Sequence, residues 1–331
     1  MIHFQFVSDT DVAKRVSPRD GETKLGETLR YVSSLDAISS SAATYVIFGI
    51  QEDIGVRANY GKKGAAKAWN AFLNAFIHVQ SNQYNASQML LLGHIKVVPH
   101  AAIDPETSKL ELGDMVGRID KMVTQVVKTI VDAGKIPIII GGGHNNAYGN
   151  LKGTSLALGK AVHALNIDAH TDLRTADYRH SGNGFRYAME DSEGPFLDKY
   201  SIFGLHKNYT PSYIFEWMDA RKKRIAYRLF EDMTTVDQTL DSFQSAVEGL
   251  NDEPFGLELD CDAILNFPSS AQTPSGFDFN TTRLLVQLAA RDKKCCYFHI
   301  CEAAPKKKNA GQVGKALSYL VTDFMRAHGT H

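Results

Sequence analysis

The 331-residue sequence has no apolar run near the roughly 20 residues that a bilayer-crossing helix needs. Its opening stretch, MIHFQFVSDTDVAKRV, has no basic segment followed by an apolar one. A chain that neither spans nor leaves through a membrane is expected. An excess of one charge is also missing: 36 Lys+Arg stand against 37 Asp+Glu, a net charge of −1, and like-charged blocks such as Lys306–Lys308 are short. No global field then draws nucleic acid or an anionic surface, so a small molecule is the default partner. Cysteine is scarce. Cys261, Cys295, Cys296 and Cys301 all lie in the last quarter, and adjacent Cys295 and Cys296 make a poor disulfide framework. That pattern suits a reducing, cytoplasmic compartment. Internal repeats and long Pro- or Ser-rich linkers are absent too, so residues 1–331 are expected to form one domain.

Short apolar or β-branched runs alternate with longer helical stretches almost from end to end. The expected strands are Thr44–Phe48, Gln88–Leu92, Ile136–Ile140, Val162–Ile167, Ser201–Phe203, Ile225–Leu229, Phe255–Leu259 and Cys296–Ile300. Several have no polar face, as strands covered by helices on both sides should. Over Met115–Ala133, Val116, Ile119, Met122, Val123, Val126 and Val127 fall at spacings of three and four, which predicts an amphipathic helix ending near Gly134. Similar patterns fill Gln238–Leu250, Thr282–Ala290 and Val313–Met325. The fold class is α/β, three-layer α/β/α, with a mainly parallel sheet of about eight strands. Such sheets bind ligands at the carboxyl ends of their strands.

Those ends carry the chemistry. Ile136–Ile140 is followed by Gly141-Gly142-Gly143-His144, Val162–Ile167 by Asp168-Ala169-His170-Thr171-Asp172, and Phe255–Leu259 by Asp260-Cys261-Asp262. Two imidazoles and four carboxylates are thus brought to one edge. They are too many for one small divalent ion but suit two ions sharing carboxylates, and without cations the carboxylates would repel one another. Oxygen-rich ligation with some imidazole favours Mn²⁺, ahead of Fe, Co or Zn, since no thiolate is evident beside the ligands. Cys261 alternates with two of them along a strand and is expected to face the core instead.

Together these residues resemble the ureohydrolases (arginase, agmatinase, formimidoylglutamase), whose pattern is GG-x-H, DAH-x-D, D-x-D and E-x-x-P. The last of these reads here Glu302-Ala303-Ala304-Pro305. Upstream, Gly49–Gly55 with Asn59 and Gly64 is similar to the family's early substrate loop. The resemblance implies an arginase-like fold and two Mn²⁺ per chain. One would be held by His144, Asp168, Asp172 and Asp260, the other by Asp168, His170, Asp260 and Asp262. It further implies water activated between the ions, a catalytic role for Asp172 in passing a proton to the leaving nitrogen, and Glu302 paired with the substrate's delocalised cation. A homo-oligomer, trimer or hexamer, is implied as well.

The departures from the arginase pattern have a direction. Arg174 stands where arginases carry Asn, Ser181-Gly182-Asn183 is kept, and Phe185 replaces a His. Lys207 and Tyr209 fall in the segment that offers acids to an α-ammonium in arginases. Added cations and lost acids suit a substrate richer in carboxylate and without a free amine. The resemblance is therefore strongest to formimidoylglutamases, which hydrolyse N-formimidoyl-L-glutamate to L-glutamate and formamide in histidine degradation. Arg174, Ser181, Asn183, Lys207 and Glu302 are the expected substrate contacts. An arginase or other guanidino-acid ureohydrolase is the nearest alternative, and a non-catalytic metal-binding relative is an alternative of another class.

Overall fold

A computed structural model describes residues 2–84, 88–97, 104, 106–250 and 253–329. Its strands are β1 (Ile2–Phe6), β2 (Tyr45–Gln51), β3 (Met89–Val97), β4 (Ile136–Ile140), β5 (Val162–Ile167), β6 (Leu197–Leu205), β7 (Ile225–Leu229), β8 (Phe255–Asp260) and β9 (Cys295–Cys301). The α-helices are α1 (Asp9–Ala13), α2 (Ile54–Ala58), α3 (Ala68–Phe76), α4 (Lys109–Asp132), α5 (Asn146–Leu158), α6 (Gly184–Glu190), α7 (Ser212–Asp219), α8 (Val236–Glu248), α9 (Phe279–Arg291) and α10 (Ala310–Gly329).

All nine strands form one sheet in the order β1-β3-β2-β4-β9-β8-β5-β6-β7. Only the edge pair β1 and β3 is antiparallel among the described strands. The ninth strand, β1, corrects the expectation of about eight. Its five residues alternate apolar and polar, IHFQF, and remain half-buried at the sheet edge, so they lack the continuous apolar run that marked the interior strands.

Side chains alternate across the sheet and build two cores. On one face Ile47, Leu91, Ile138, Leu257 and Phe298 pack under α3, α9 and α10, with Trp69, Phe72, Leu285 and Leu317 opposite them. On the other face Val46, Phe48, Leu90, Ile139 and Ile202 meet α4, α5 and α6 through Val123, Val127, Leu151 and Phe185. These are the three layers. The long helix α4 starts at Ser108, whose Oγ accepts from Glu111 N while the Glu111 side chain accepts from Ser108 N. Its buried residues Val116, Ile119, Val123, Val126, Val127 and Ile130 form one stripe. Among the described residues no helix is long and apolar enough to cross a membrane.

The topology decides where chemistry can occur. β9 and β8 lie between β4 and β5, so four adjacent strands end side by side at the centre of the sheet. Those four ends carry His144, Glu302, Asp260 and Asp168.

Candidate metal centre

After β4 the chain turns through Gly141 and Gly142 at φ +88 and +77, a left-handed conformation that side chains disfavour. A Cβ on Gly142 would also lie 2.3 Å from Asn146 Nδ2. The turn aims two backbone amides at buried carboxylates. Gly143 N donates to Glu52 Oε1 at 2.9 Å and His144 N donates to Glu302 Oε1 at 2.8 Å. Glu52 follows β2 and also accepts from Ile54 N and Asn146 Nδ2, each at 2.6 Å, so it clamps the early loop to the start of α5. Burial pushes its carboxyl up in spite of these bonds.

Two strand-end aspartates fold back over their own turns. Asp168 Oδ1 accepts from His170 N, and Asp260 Oδ1 from Asp262 N, each at 2.7 Å. Their other oxygens face His144. Its Nδ1 lies 2.9 Å from Asp172 Oδ2, 3.1 Å from Asp260 Oδ2 and 3.2 Å from Asp168 Oδ2. His170 Nδ1 lies 3.5 Å from Asp168 Oδ1 and 3.9 Å from Asp262 Oδ2. Asp172 and Glu302 sit at φ +49 and +60. Strain of this kind in non-glycine residues collects at functional sites.

The donor set fits divalent cations. Ligand atoms of His144, Asp168, Asp172 and Asp260 lie within 4.8 Å of one another, and neither ring nitrogen of buried His144 makes a well-formed hydrogen bond. Burial drives the Asp260 carboxyl well up, and the charges of Asp262 and Asp168 add to this. Burial likewise raises Asp172 and Asp262. Asp168 moves the other way against its burial, because His144 and His170 hold it down. Burial also opposes charge on His170, but Asp168 and its neighbours carry the imidazole up to about 10. A buried group of carboxylates so mutually repelled is one that cations relieve.

A layer behind the cluster was not legible in the sequence. Glu258 Oε2 lies 3.6 Å from His144 Nε2 and 2.5 Å from His299 Nδ1, and Glu258 Oε1 accepts from Tyr297 Oη at 2.8 Å. His299 Nε2 is 3.2 Å from Gly141 O. Burial works against the Glu258 charge, yet His299 and His144 hold its carboxyl down at about 2. The sole signal was an acid between two leucines, FGLEL. Phe185 closes the His144 ring from the side, edge to face at 5.1 Å and 87°, and stacks on Tyr200 at 4.2 Å.

The profile of the arginase family matches residues 43–326. The chain belongs to the arginase family. The chain is 27% identical over 309 residues to a formimidoylglutamase of Lysinibacillus sphaericus, covering 91% of this chain and 90% of the relative. A Trypanosoma cruzi formiminoglutamase solved with Mn²⁺ shares its fold at a TM-score of 0.75 and 18% identity, over 94% of this chain and 99% of that one. The formimidoylglutamase of Bacillus subtilis also superposes at 0.75, with 12% identity, over 95% and 94% of the two chains.

In this arginase-family chain an open cavity of about 170 Å³ lies over the cluster, lined by His170, Asp172, Asp260, Asp262 and Glu302. Around them stand Asn59, Thr171, Arg174, Ser181, Tyr209 and Ser270. Tyr209 stacks on His170 at 5.2 Å and its hydroxyl lies 3.0 Å from Thr273 Oγ1. Ser181 Oγ accepts from Asn59 Nδ2 at 3.3 Å. Arg174 is exposed and has no ion-pair partner among the described residues.

Three expectations need correction. Lys207 does not line the cavity: its Nζ pairs with Asp232 at 3.0 Å and its backbone N donates to Glu231, acids on the turn after β7 whose approach the sequence did not reveal. Asn183 is buried scaffold. Its Oδ1 accepts from Arg179 Nη1 and His180 N, and its Nδ2 donates to Thr175 O and Tyr178 O, which uses its whole hydrogen-bonding capacity. A thiol does stand beside the ligands, since the Cys301 sulfur lies within 4.8 Å of the His144 and Asp260 ligand atoms. Cys261 packs in the core on the other face of the sheet.

Proposed function

We propose that this chain is a metal-dependent hydrolase of linear amidines that converts N-formimidoyl-L-glutamate and water to L-glutamate and formamide. One observation carries the substrate choice: the carboxylates lining the cavity, Asp172, Asp260, Asp262 and Glu302, are buried or half-buried, whereas Arg174, which also lines it, is exposed and has no ion-pair partner among the described residues. An amidinium at one end of the substrate and carboxylates at the other match that polarity. The α-ammonium of arginine would meet Arg174 with no acid beside it, and a diamine would fare worse.

His144, Asp168, Asp172 and Asp260 would hold one divalent cation, and Asp168, His170, Asp260 and Asp262 the second, with Mn²⁺ the metal of the similar formiminoglutamase. When bound, the pair supplies an acidified water and charge stabilisation at the reacting carbon. The chain's residues do the rest. Glu302 is fixed through Oε1 by His144 N, which leaves buried Oε2 to accept from the substrate's N–H groups. Burial and the Asp262 charge push its carboxyl up to about 8, so an amidinium gives Glu302 the counter-charge it lacks. Asp172, raised by burial and open to the cavity, is placed to carry a proton to the departing glutamate nitrogen. Arg174 and Ser181 orient the dicarboxylate end. The four unpaired cysteines suit a cytoplasmic enzyme, and assembly as a trimer or hexamer follows from the family resemblance.

The test is turnover by Mn²⁺-loaded protein of N-formimidoyl-L-glutamate and L-arginine in parallel, reading glutamate, formamide and urea. Glutamate and formamide are expected, with Arg174→Gln raising KM about tenfold or more through one lost charge-assisted contact. Urea from arginine alone would overturn the substrate reading.

A further inference from the structure

The pairing of β8 with β9 sets a second donor type beside the cluster. The parallel register places Gly256 opposite Tyr297, Glu258 opposite His299 and Asp260 opposite Cys301. Alternation then puts Tyr297, His299 and Cys301 on the same face of the sheet as Glu258 and Asp260. At the top of this column the Cys301 sulfur, the Asp260 carboxylate and a ring nitrogen of His144 lie within 4.8 Å of one another, all buried. His144 has no well-formed hydrogen bond at either nitrogen. The sulfur's own contact is weak, a donation to Leu259 O at 3.6 Å.

We propose that Cys301 is a third donor beside His144 and Asp260, so that this end of the centre accepts Zn²⁺ or Co²⁺ as an N, O, S set overlapping the oxygen-rich set that suits Mn²⁺. Thiolate selects softer cations, whereas carboxylates suit Mn²⁺. Binding forms a sulfur–metal bond and breaks the S–H bond, with the proton released to water and no change of oxidation state. The inference rests on reading the cluster as a metal centre.

The experiment loads the intact chain with Co²⁺, counts bound cobalt and records the near-ultraviolet spectrum. A sulfur-to-cobalt charge-transfer band is expected. It should vanish in Cys301→Ser and Cys301→Ala, and persist in Cys261→Ser, Cys295→Ser and Cys296→Ser. Zn²⁺ affinity should fall about tenfold or more in the Cys301 variants while Mn²⁺ affinity holds. If both Cys301 variants fail to fold, persistence of the band in the other three assigns the sulfur by elimination. Cobalt bound without the band overturns the thiol donor and leaves the metal centre standing. No bound cobalt overturns both.

Discussion

At the scale of single residues, the cluster's orientation depends on a side chain that never faces the cavity. His144 presents Nδ1 to three aspartates while Nε2 points at Glu258, 3.6 Å away. A carboxylate behind a ligating imidazole favours the tautomer that leaves the front nitrogen free, and it fixes the ring plane. Glu258 is itself pinned by Tyr297 and His299, and His299 reaches back to Gly141 in the turn that delivers His144. One side chain therefore couples three strand ends. Glu258→Gln keeps the shape and removes the charge, so Mn²⁺ affinity should fall about 10- to 100-fold. Competition with a chelator measures this, and an affinity equal to wild type would show that the turn alone orients His144. The gathering of His144, Asp168, Asp172 and Asp260 was legible because the motif that carries each begins where an apolar strand ends. Glu258 and Cys301 were not: their place depends on which strands are neighbours and in what register, and periodicity within one strand carries neither.

At the scale of elements, the cluster is held by the approach of α5 to α4. Gly149 and Gly153 make that approach close. A Cβ on Gly153 would lie 2.7 Å from Thr124 O and 2.9 Å from Val127 Cβ, and one on Gly149 would lie 2.8 Å from Val123 Cβ. Alanine is the better helix former by about 1 kcal/mol, but the carbonyl of α4 cannot yield without shifting that helix, and overpacking costs about 1–3 kcal/mol. Gly153→Ala should accordingly destabilise the chain by about 1–2 kcal/mol, read as a lower urea midpoint. An unchanged or higher midpoint would mean that the helices separate freely. Interior strands such as β4 and β5 were legible in the sequence because burial on both faces writes an unbroken apolar run. β1 was missed because an edge strand buries only part of itself. Lys207 was misplaced for a related reason: Asp232, its partner, comes from another element, and loop charges are paired by topology.

At the scale of the whole molecule, acid should loosen the fold through histidines far from one another. His94 on β3, His180 ahead of α6 and His328 near the end of α10 are all buried. Burial lowers each to about 4, helped at His94 by Lys96, His3 and Arg15 and at His328 by Lys293, while at His180 Asp177 opposes and Arg179 and Arg174 assist. In the unfolded chain each titrates near its ordinary value of about 6.5. Above that pH neither state carries the protons and the contribution to stability is complete. As pH falls from about 6.5 towards 4, the unfolded chain binds protons that the folded chain refuses, so stability declines with decreasing pH. With screening discounted, the three together remove on the order of 5 kcal/mol across that window. His94→Gln deletes one of these protons. Its ring packs 6.0 Å from that of Trp69 and makes no hydrogen bond through Nδ1, so glutamine forfeits packing at neutral pH but escapes the acid penalty. Urea midpoints of chelated protein at pH 7 and pH 4.5 should then show a smaller drop for the variant than for wild type. Equal drops would mean that His94 becomes protonated within the folded state, and that the acid sensitivity arises at His180 and His328.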